Sequence, residues 1–391
     1  MNLLFKIILA GLVAMVAVGF WVTEPYGNNP FVAPSRPPIV SVHSTQCDLV
    51  SSNVIALVRE RLGQHLDAGN LVGASIGFYT SGCGSFVAAG GFSSKKDLEP
   101  FSPQTVTRIA SITKPMTAIA IMQLHDSGAL DIDQPVQNYL ADFPAPEERV
   151  TIRHLLSHTS GIPHYRSSLD AISLSSYDTL QQAVEEVYER GFVGAPGDQY
   201  TYSSFGYTVL GRVIEKVSGH TFSEYLRDEV WRPAGMAYTS LERTTVQDGK
   251  SRLYVKLFGE FLRSPRSDLS LIYPAGGVQS TAGDLLSFGA AVLNDSLVAR
   301  PTLEAMADIS ASLSGTTGDD PYGLGWSVTE HPDFGTVLAH GGSQPGASAQ
   351  FLILLEKEVV AVALSNAYGT KGSAIDLAYF MADLATKLES E

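Results

Sequence analysis

A hydroxyl and an amine stand three residues apart in the segment Ser111-Ile112-Thr113-Lys114, which opens a strongly apolar run. On an α-helix this spacing brings both side chains onto one face. A serine hydroxyl is a weak nucleophile, and a nearby amine activates it only when burial keeps that amine uncharged. The pattern predicts an acyl-transfer nucleophile at Ser111, with Lys114 as one candidate for its base. An ordinary core helix that begins with serine is the alternative.

Pro115 follows directly and indicates where the helix begins. Proline has no backbone N–H and fits a helix only in the first turn, where that group would have no partner. We therefore expect Ser111 at a helix N-terminus, where its own N–H and the helix dipole favour a developing oxyanion. Apolar residues lie nearly all round the run that continues to Gly128, which predicts a central buried helix.

A tyrosine just before another predicted helix is a second candidate for proton transfer. Tyr202 precedes a helical pattern that begins near Ser204. A phenol has an ordinary pKa of about 10, so it acts as a base near neutral pH only beside positive charge. The alternative is a structural tyrosine, because the chain contains 16 tyrosines.

The segment His340-Gly341-Gly342-Ser343 follows a predicted strand that ends near His340. Glycines allow a substrate to approach the edge of a strand closely. We expect the backbone N–H of Ser343 to be a second oxyanion donor, and His340 to orient the substrate or share its protons. A strand followed by an ordinary turn is the alternative.

Other motifs point away from metal and cofactor chemistry. His154 and His158 have a zinc-compatible spacing, but no glutamate follows the first histidine as the metalloprotease motif requires. Pro345 stands two residues after Ser343, where a nucleophile elbow would need glycine. The sequence contains neither a phosphate-binding loop nor a complete dinucleotide fingerprint. We therefore expect no metal and no cofactor.

The bulk composition limits the partners. The chain has 391 residues, of which 45% are hydrophobic, and a formal net charge of −14. This charge argues against nucleic acid or an anionic membrane surface as the main partner. Oligomeric state is not predicted.

The N-terminal segment predicts export. Residues 3–22 are apolar apart from Lys6, which favours a membrane anchor over the alternative of a cleaved signal within residues 1–22. Residues 23–46 contain repeated prolines and predict a linker. A catalytic domain is expected over residues 47–389, outside the cytoplasm in the periplasm and tethered to the inner membrane.

The two cysteines, Cys47 and Cys83, leave two possibilities open. In an oxidising compartment they are able to form a disulfide between the start of the domain and a glycine-rich turn. Two separate free thiols are the alternative.

Strand patterns flank a largely helical middle. Strands are predicted over 74–79 and 86–89, and again over 325–329, 336–339, 348–355 and 359–365. Helices are predicted over 54–66, 179–190, 204–217, 223–231, 285–293 and 374–388. The simplest arrangement is an α+β fold, in which both chain ends build one antiparallel sheet flanked by helices, with a helical insertion over about 131–271.

Six segments, taken in order, resemble the serine β-lactamase-like superfamily of class C β-lactamases, low-molecular-weight penicillin-binding peptidases and β-lactamase-fold esterases. The resemblance extends over about residues 50–385. The matching segments are Ser111–Pro115, His154–Pro163, Tyr202–Tyr207, Gly276–Leu285, Tyr322–Trp326 and His340–Gly342.

Two departures from the family pattern narrow the expected activity. Ser204 stands where the lactamases and peptidoglycan peptidases have asparagine, and His340 stands where they have lysine. Both are most similar to the mitochondrial lactamase-like serine proteases and their bacterial relatives. A histidine holds a substrate carboxylate less firmly than a lysine. These departures favour a peptidase or esterase over an efficient β-lactamase.

The resemblance implies a serine hydrolase that cleaves amide or ester bonds of a small-molecule or peptide substrate. It implies an acyl-enzyme on Ser111, with Tyr202 in proton transfer and with Ser204, Gly341 and Gly342 in contact with the substrate. The alternative is a membrane-tethered sensor or scaffold that binds peptidoglycan or β-lactams without hydrolysing them.

Overall fold

The computed structural model describes residues 41–45, 50–144, 149–166, 172–243, 249–309 and 321–389. Both chain ends contribute strands to one antiparallel sheet in the order β1-β3-β2-β13-β12-β11-β10, with the short strand β4 paired to β3. The strands are β1 Ser41–Thr45, β2 Gly73–Thr80, β3 Gly84–Ser94, β4 Glu99–Pro100, β10 Ser327–His331, β11 Gly335–Gln344, β12 Ala347–Leu354 and β13 Val359–Ser365. The predicted α+β fold is confirmed.

Helices cover both faces of this sheet. They are α1 Ser52–Asp67, α2 Thr113–Asp126, α3 Ile152–Leu156, α4 Leu180–Tyr188, α5 Ser204–Ser218, α6 Phe222–Tyr225, α7 Tyr273–Gly276, α8 Ala282–Leu293, α9 Arg300–Ala307 and α10 Lys371–Leu388. A π-helical segment, Leu226–Trp231, continues α6, so the helix predicted over 223–231 is present in two parts.

Alternate residues of β13 pack on opposite faces of the sheet because strand side chains have a period of two. Val359 and Ala361 belong to the hydrophobic cluster that includes α1 and α10. Val360 and Val362 belong to the cluster that includes α2 and α8. The whole of β13 is buried, which explains why its sequence is a continuous apolar run.

The middle of the chain is less purely helical than predicted. It contains an unpredicted hairpin, β7 Tyr254–Leu257 and β8 Glu260–Arg263, which pairs with β14 Ala367–Tyr368 in a small separate sheet. Another small sheet joins β5 Thr107–Arg108, β9 Val278–Ser280 and β6 Ser240–Leu241. Strands this short lack the extended alternation by which a strand is recognised in a sequence.

β11 is also longer than predicted. The strand continues past His340 through both glycines to Gln344 and keeps regular pairing with β12. The prediction that it ends near His340 was wrong. Glycine weakens a strand but does not end it, and it marks a place where another backbone approaches closely.

The N-terminal predictions lie mostly outside the described residues. Residues 1–40 are not among them, so the anchor or signal in residues 1–22 and most of the linker stay predictions. Within the described ranges, every helix is either too short or too polar to cross a bilayer. Cys83 is buried and disulfide-bonded, whereas Cys47 lies outside the described residues.

Candidate active site

Ser111 and Lys114 meet at the start of α2. Ser111 lies in a 3₁₀ turn, Ala110–Ile112, that leads into this helix, and Lys114 belongs to its first turn. The Nζ atom of Lys114 lies 3.1 Å from Oγ of Ser111. Ser111 is partly exposed, whereas Lys114 is fully buried. An accessible hydroxyl is therefore joined to a buried amine, which is the geometry that the spacing predicted.

The surroundings of Lys114 favour the uncharged amine. Burial lowers the pKa of Lys114 well below its ordinary value, and no carboxylate of the described residues forms an ion pair with it. Nζ also lies 3.2 Å from Oγ of Ser204 and 3.0 Å from the carbonyl oxygen of Ala275. A neutral amine has two N–H donors and one lone pair. In its neutral form Lys114 would satisfy this set by donating to Ala275 and Ser204 and by accepting from the hydroxyl of Ser111.

Tyr202 is the third member of the group. Its side chain is hydrogen-bonded to Ser111, and its ring centroid lies 4.7 Å from Nζ of Lys114. Burial raises the pKa of Tyr202, and the hydrogen bond with Ser111 opposes that effect less strongly. The phenol is therefore protonated near neutral pH. It is suited to donating a proton rather than to taking one from Ser111.

The beginning of α5 presents Ser204 to the amine. Ser203 caps this helix by accepting a hydrogen bond from the N–H of Gly206 at 3.0 Å. Ser204 is buried, and its N–H donates to Nδ1 of His164 at 3.2 Å. Sequence reasoning missed His164, which supports the helix end carrying Ser204. The only signal in the sequence is its position, because His164 directly follows the matching segment His154–Pro163.

The two proposed oxyanion donors lie on neighbouring backbone segments. Ala110, just before Ser111, has a φ of 51°, which is uncommon for a residue with a Cβ atom. A Cβ atom at Gly342 would collide with the carbonyl oxygen of Ile109 and lie 3.3 Å from Cβ of Ala110. Glycine therefore allows β11 to lie directly against the turn that carries Ser111. Ser343 is the next residue of β11 and is exposed at this edge.

His340 forms its hydrogen bonds with residues other than Ser111 and Lys114. Its Nδ1 lies 2.8 Å from the carbonyl oxygen of Gly341, so Nδ1 carries the proton and Nε2 accepts from the hydroxyl of Tyr322 at 3.0 Å. Burial is the largest cause that lowers the pKa of His340 to about 3, and a positive charge on Lys114 would act in the same direction. The imidazole is therefore neutral at physiological pH. Tyr322 lay in a matching segment, but sequence reasoning gave it no chemical role.

A buried ionic cluster next to the site was also missed. The guanidinium of Arg108 binds both carboxylate oxygens of Glu242 at 2.6 and 2.7 Å and also donates to the carbonyl oxygen of Pro345. Lys250 lies 3.2 Å from the same carboxylate. These contacts tie the chain just before Ser111 to the loop just after β11. Arg108 was visible in the sequence, but its partners are more than 130 residues away, so no local pattern connects them.

The Beta-lactamase family model matches residues 58–386, and the chain belongs to that family. The six segments that suggested this membership all lie within the matched range, so the predicted membership is confirmed.

Known relatives include penicillin-binding and lactamase-like proteins. Penicillin-binding protein 4* of Bacillus subtilis is 30% identical over an alignment that covers 71% of this chain and 64% of that protein. The human mitochondrial serine beta-lactamase-like protein LACTB is 26% identical over 80% of this chain and 74% of its own length. A D-amino acid amidase from Ochrobactrum anthropi has a similar fold, with a TM-score of 0.75 and 23% identity over 85% of this chain and 99% of its own. The family and fold support a hydrolase in general terms.

Proposed function

We propose that this protein is a serine hydrolase that cleaves amide or ester bonds through an acyl-enzyme on Ser111. One observation carries the proposal: Lys114 is fully buried and has no ion-pair partner among the described residues, yet its Nζ lies 3.1 Å from Oγ of Ser111. An uncharged amine is a base, whereas a charged one is not. A structural lysine would have little reason to be buried without a carboxylate.

In the proposed acylation step, Oγ of Ser111 attacks the substrate carbonyl carbon while its proton passes to Nζ of Lys114. The carbonyl electron pair moves to oxygen, and the backbone N–H groups of Ser111 and Ser343 stabilise that oxyanion. Lys114 is the better acylation base, because the pKa shift of Tyr202 favours the protonated phenol. Sequence reasoning had left both residues open for this role.

Collapse of the tetrahedral intermediate breaks the bond to the leaving group. The hydroxyl of Tyr202 gives its proton to the departing nitrogen or oxygen, and the proton that Nζ of Lys114 took from Ser111 passes to the phenolate of Tyr202. Both groups are then in their starting protonation states. Water then attacks the acyl carbon, and the neutral amine of Lys114 takes its proton with Tyr202 as the relay. Release of the acid returns the proton to Oγ of Ser111, so the enzyme is regenerated.

The substrate is proposed to be a peptide or a small ester or amide rather than an efficiently hydrolysed β-lactam. A neutral His340 supplies no positive charge for a substrate carboxylate, and its two ring nitrogens already bind Gly341 and Tyr322. Ser204 has a shorter side chain than asparagine and lacks an amide that could contact a substrate amide. The substrate is proposed to lie along the edge of β11, in contact with Gly341 and Gly342.

The experiment that tests this function compares the full chain with its Ser111→Ala variant. We expect a fluorophosphonate probe to label the parent on Ser111, and a panel of short-chain esters, D-alanyl peptides and chromogenic lactams to identify the substrate class. Ser111→Ala should lose labelling and lower turnover by about 10⁴-fold or more. Equal turnover by the variant would refute the nucleophile. An acyl group from an ester, peptide or lactam that stays bound to Ser111 of the parent without release would favour the sensor alternative.

Export and membrane tethering accompany this proposal. They depend on the apolar stretch at residues 3–22 and the proline-rich segment that follows it. A fusion of residues 1–46 to a reporter that functions only outside the cytoplasm tests this part, and fractionation distinguishes an anchor from a cleaved signal.

A further inference from the structure

The hairpin formed by β7 and β8 exposes a continuous apolar surface. Phe258 at its tip is fully exposed, with 103% of its reference area, and Leu257 beside it is 49% exposed. Leu262 is 38% and Tyr368 is 37% exposed. These four residues are named the apolar hairpin surface. Such large apolar side chains exposed together are typical of a docking surface rather than of scattered surface residues.

The strand register explains why this surface is continuous. Val255 pairs with Leu262 on one side and with Tyr368 on the other, so these three side chains lie in one row on one face of the small sheet. The opposite face carries Tyr254 and Ala367, which are buried against the domain in a separate hydrophobic cluster. The inner face therefore holds the hairpin in place, while the outer face is left without a partner among the described residues.

The charge of the hairpin differs from that of the whole chain. Residues 252–266 contain four basic residues, Arg252, Lys256, Arg263 and Arg266, and one acidic residue, Glu260. The complete chain has a net charge of −14. The register places Lys256 opposite Phe261 and Arg263 opposite Tyr254 on the inner face, whereas Glu260 lies opposite Leu257 on the outer face. The surface offered to a bilayer is therefore apolar rather than basic, and an exposed aromatic tip suits the membrane–water interface.

The position of the hairpin relative to the N-terminal segment also favours contact with a membrane. Ser41 pairs with Ala89 and Thr45 with Ser85, so residues 1–40 join the sheet at the end toward which β3 runs. The hairpin is attached at that end, because the N–H of Arg252 donates to the carbonyl oxygen of Ser93 at 2.8 Å. The chain that carries the predicted anchor and the apolar hairpin surface therefore lie at one end of the sheet.

The active site lies at this end as well. The register across the sheet aligns Ser343 with Ser348, Ser348 with Ser365, and Ser365 with Ala74. Ala74 in turn pairs with Gly90, one residue beyond the partner of Ser41. A bilayer that met the hairpin would therefore lie toward the end of the sheet that carries the proposed oxyanion donor Ser343.

We propose that the apolar hairpin surface docks on the lipid bilayer, with Phe258 and Leu257 inserted at the level of the headgroups. The occupant is the membrane itself, which the predicted anchor already holds near this end of the domain. The proposal rests on the hairpin and on chain entry at Ser41, not on hydrolysis. Its failure would leave the proposed function unaffected.

The experiment uses the full chain reconstituted into vesicles that contain zwitterionic and anionic phospholipids. An environment-sensitive fluorophore is attached at Phe258→Cys. The matched control is Glu358→Cys, because Glu358 is exposed, sits in a hairpin turn at the opposite end of the sheet, and has a φ of 51° against 52° for Phe258. The parent chain measures background labelling of Cys47 and Cys83.

We expect the label at position 258 to show blue-shifted emission and to lose emission when the lipids carry a shallow quencher. The label at position 358 should show neither effect. Absence of quenching at 258, or equal quenching at both positions, would overturn the proposal. A blue shift at 258 that resists lipid quenchers but grows with protein concentration would also overturn it, because the surface would then bind a second copy of the chain.

Discussion

Two buried basic residues, Arg108 and Lys114, lie near Ser111 in surroundings of opposite kinds. Arg108 is 2% exposed and is held in two hydrogen bonds by the carboxylate of Glu242. Lys114 is fully buried, and among the described residues the polar atoms within hydrogen-bond distance of its Nζ are two hydroxyls and a carbonyl oxygen. Arginine stays charged under all ordinary conditions, so it needs its carboxylate. Lysine is able to lose its proton, and here burial without a partner makes that loss favourable.

The difference separates a charge-balanced cluster from the site that we propose to be reactive. The ionic cluster of Arg108, Glu242 and Lys250 has its charge balanced within hydrogen-bond distance and fixes the backbone just before Ser111 and just after β11. The amine of Lys114 has no such balance among the described residues and lies within hydrogen-bond distance of Ser111. Two basic residues six positions apart in the sequence thus acquire different chemistry from their tertiary contacts alone.

The largest expected effect comes from removing the unpaired amine. Lys114→Met replaces it with an apolar side chain of similar length. We expect acylation by a fluorophosphonate probe to slow by about 10²–10⁴-fold, which is the range for loss of a general base. Thermal stability should not fall, because the variant has no amine whose desolvation on burial would oppose folding. Stopped-flow labelling and a thermal melt measure the two effects.

Lys250→Met is the matched control, since it removes a lysine from the paired cluster instead. Its acylation rate should remain near that of the parent, because Arg108 still holds Glu242. If Lys114→Met reacted as fast as Lys250→Met, the amine would not be the base.

The second effect concerns stability and comes from breaking the paired cluster. Glu242→Gln leaves the guanidinium of Arg108 buried without a countercharge, and loss of one partner of a buried ion pair lowers the free energy of unfolding by about 3–5 kcal/mol. Urea denaturation measures the change. The double variant Arg108→Met with Glu242→Leu should recover much of the loss, and equal stability of the parent and Glu242→Gln would contradict the assignment.

The parent also has a pH dependence with a defined sign. Burial raises the pKa of Glu242, but Arg108 and Lys250 outweigh that effect, so the pKa lies below its ordinary value in the folded state. The stability from this group is therefore present above the ordinary carboxyl range and is lost as the pH falls through the folded-state pKa. Glu242→Gln should flatten this part of the stability profile.

The third effect is a shift in the pH profile of acylation, produced by giving Lys114 the partner it lacks. The neutral amine is the reactive form, so acylation rises with pH through the pKa of Lys114 and then levels off. Ser204→Asp places a carboxylate beside Nζ, which favours the charged amine and raises that pKa. We expect the rising limb to move to higher pH by about 1–3 units.

Ser204→Asn controls for the change in shape without adding charge. The pH range over which its acylation rate rises should equal that of the parent, whatever the change in absolute rate. A limb that moves equally in both variants would show that Lys114 does not control acylation. Titration of His340 should not change the acylation rate between pH 5 and 8, because its pKa lies at about 3.

Patterns that repeat within one element were readable from the sequence. The apolar run after Ser111 and the position of Pro115 predicted a buried helix that begins at the nucleophile, and α2 has that form. The continuous apolar strand β13 was also predicted at its observed position. Such patterns succeed because burial follows the period of the element itself.

Patterns that depend on distant partners were not readable. The hairpin of β7 and β8 exposes Leu257 and Phe258, so its residues lack the alternation of a half-buried strand. β11 continues through Gly341 and Gly342 because Ile109 and Ala110 lie against it, and nothing local to the glycines predicts that neighbour. The contact of His340 with Tyr322 likewise joins two segments that the sequence treats separately.

The sequence by itself determined the family, the sheet built from both chain ends, and the pairing of Ser111 with Lys114, because one helical turn fixes the distance between residues three apart. Only the tertiary structure decided that Lys114 is buried without an ion-pair partner among the described residues while Arg108 is paired, that burial raises the pKa of Tyr202, and that burial lowers the pKa of His340 to about 3. Those properties are set by burial and by partners brought from distant parts of the chain, and a pKa depends on surroundings rather than on residue type.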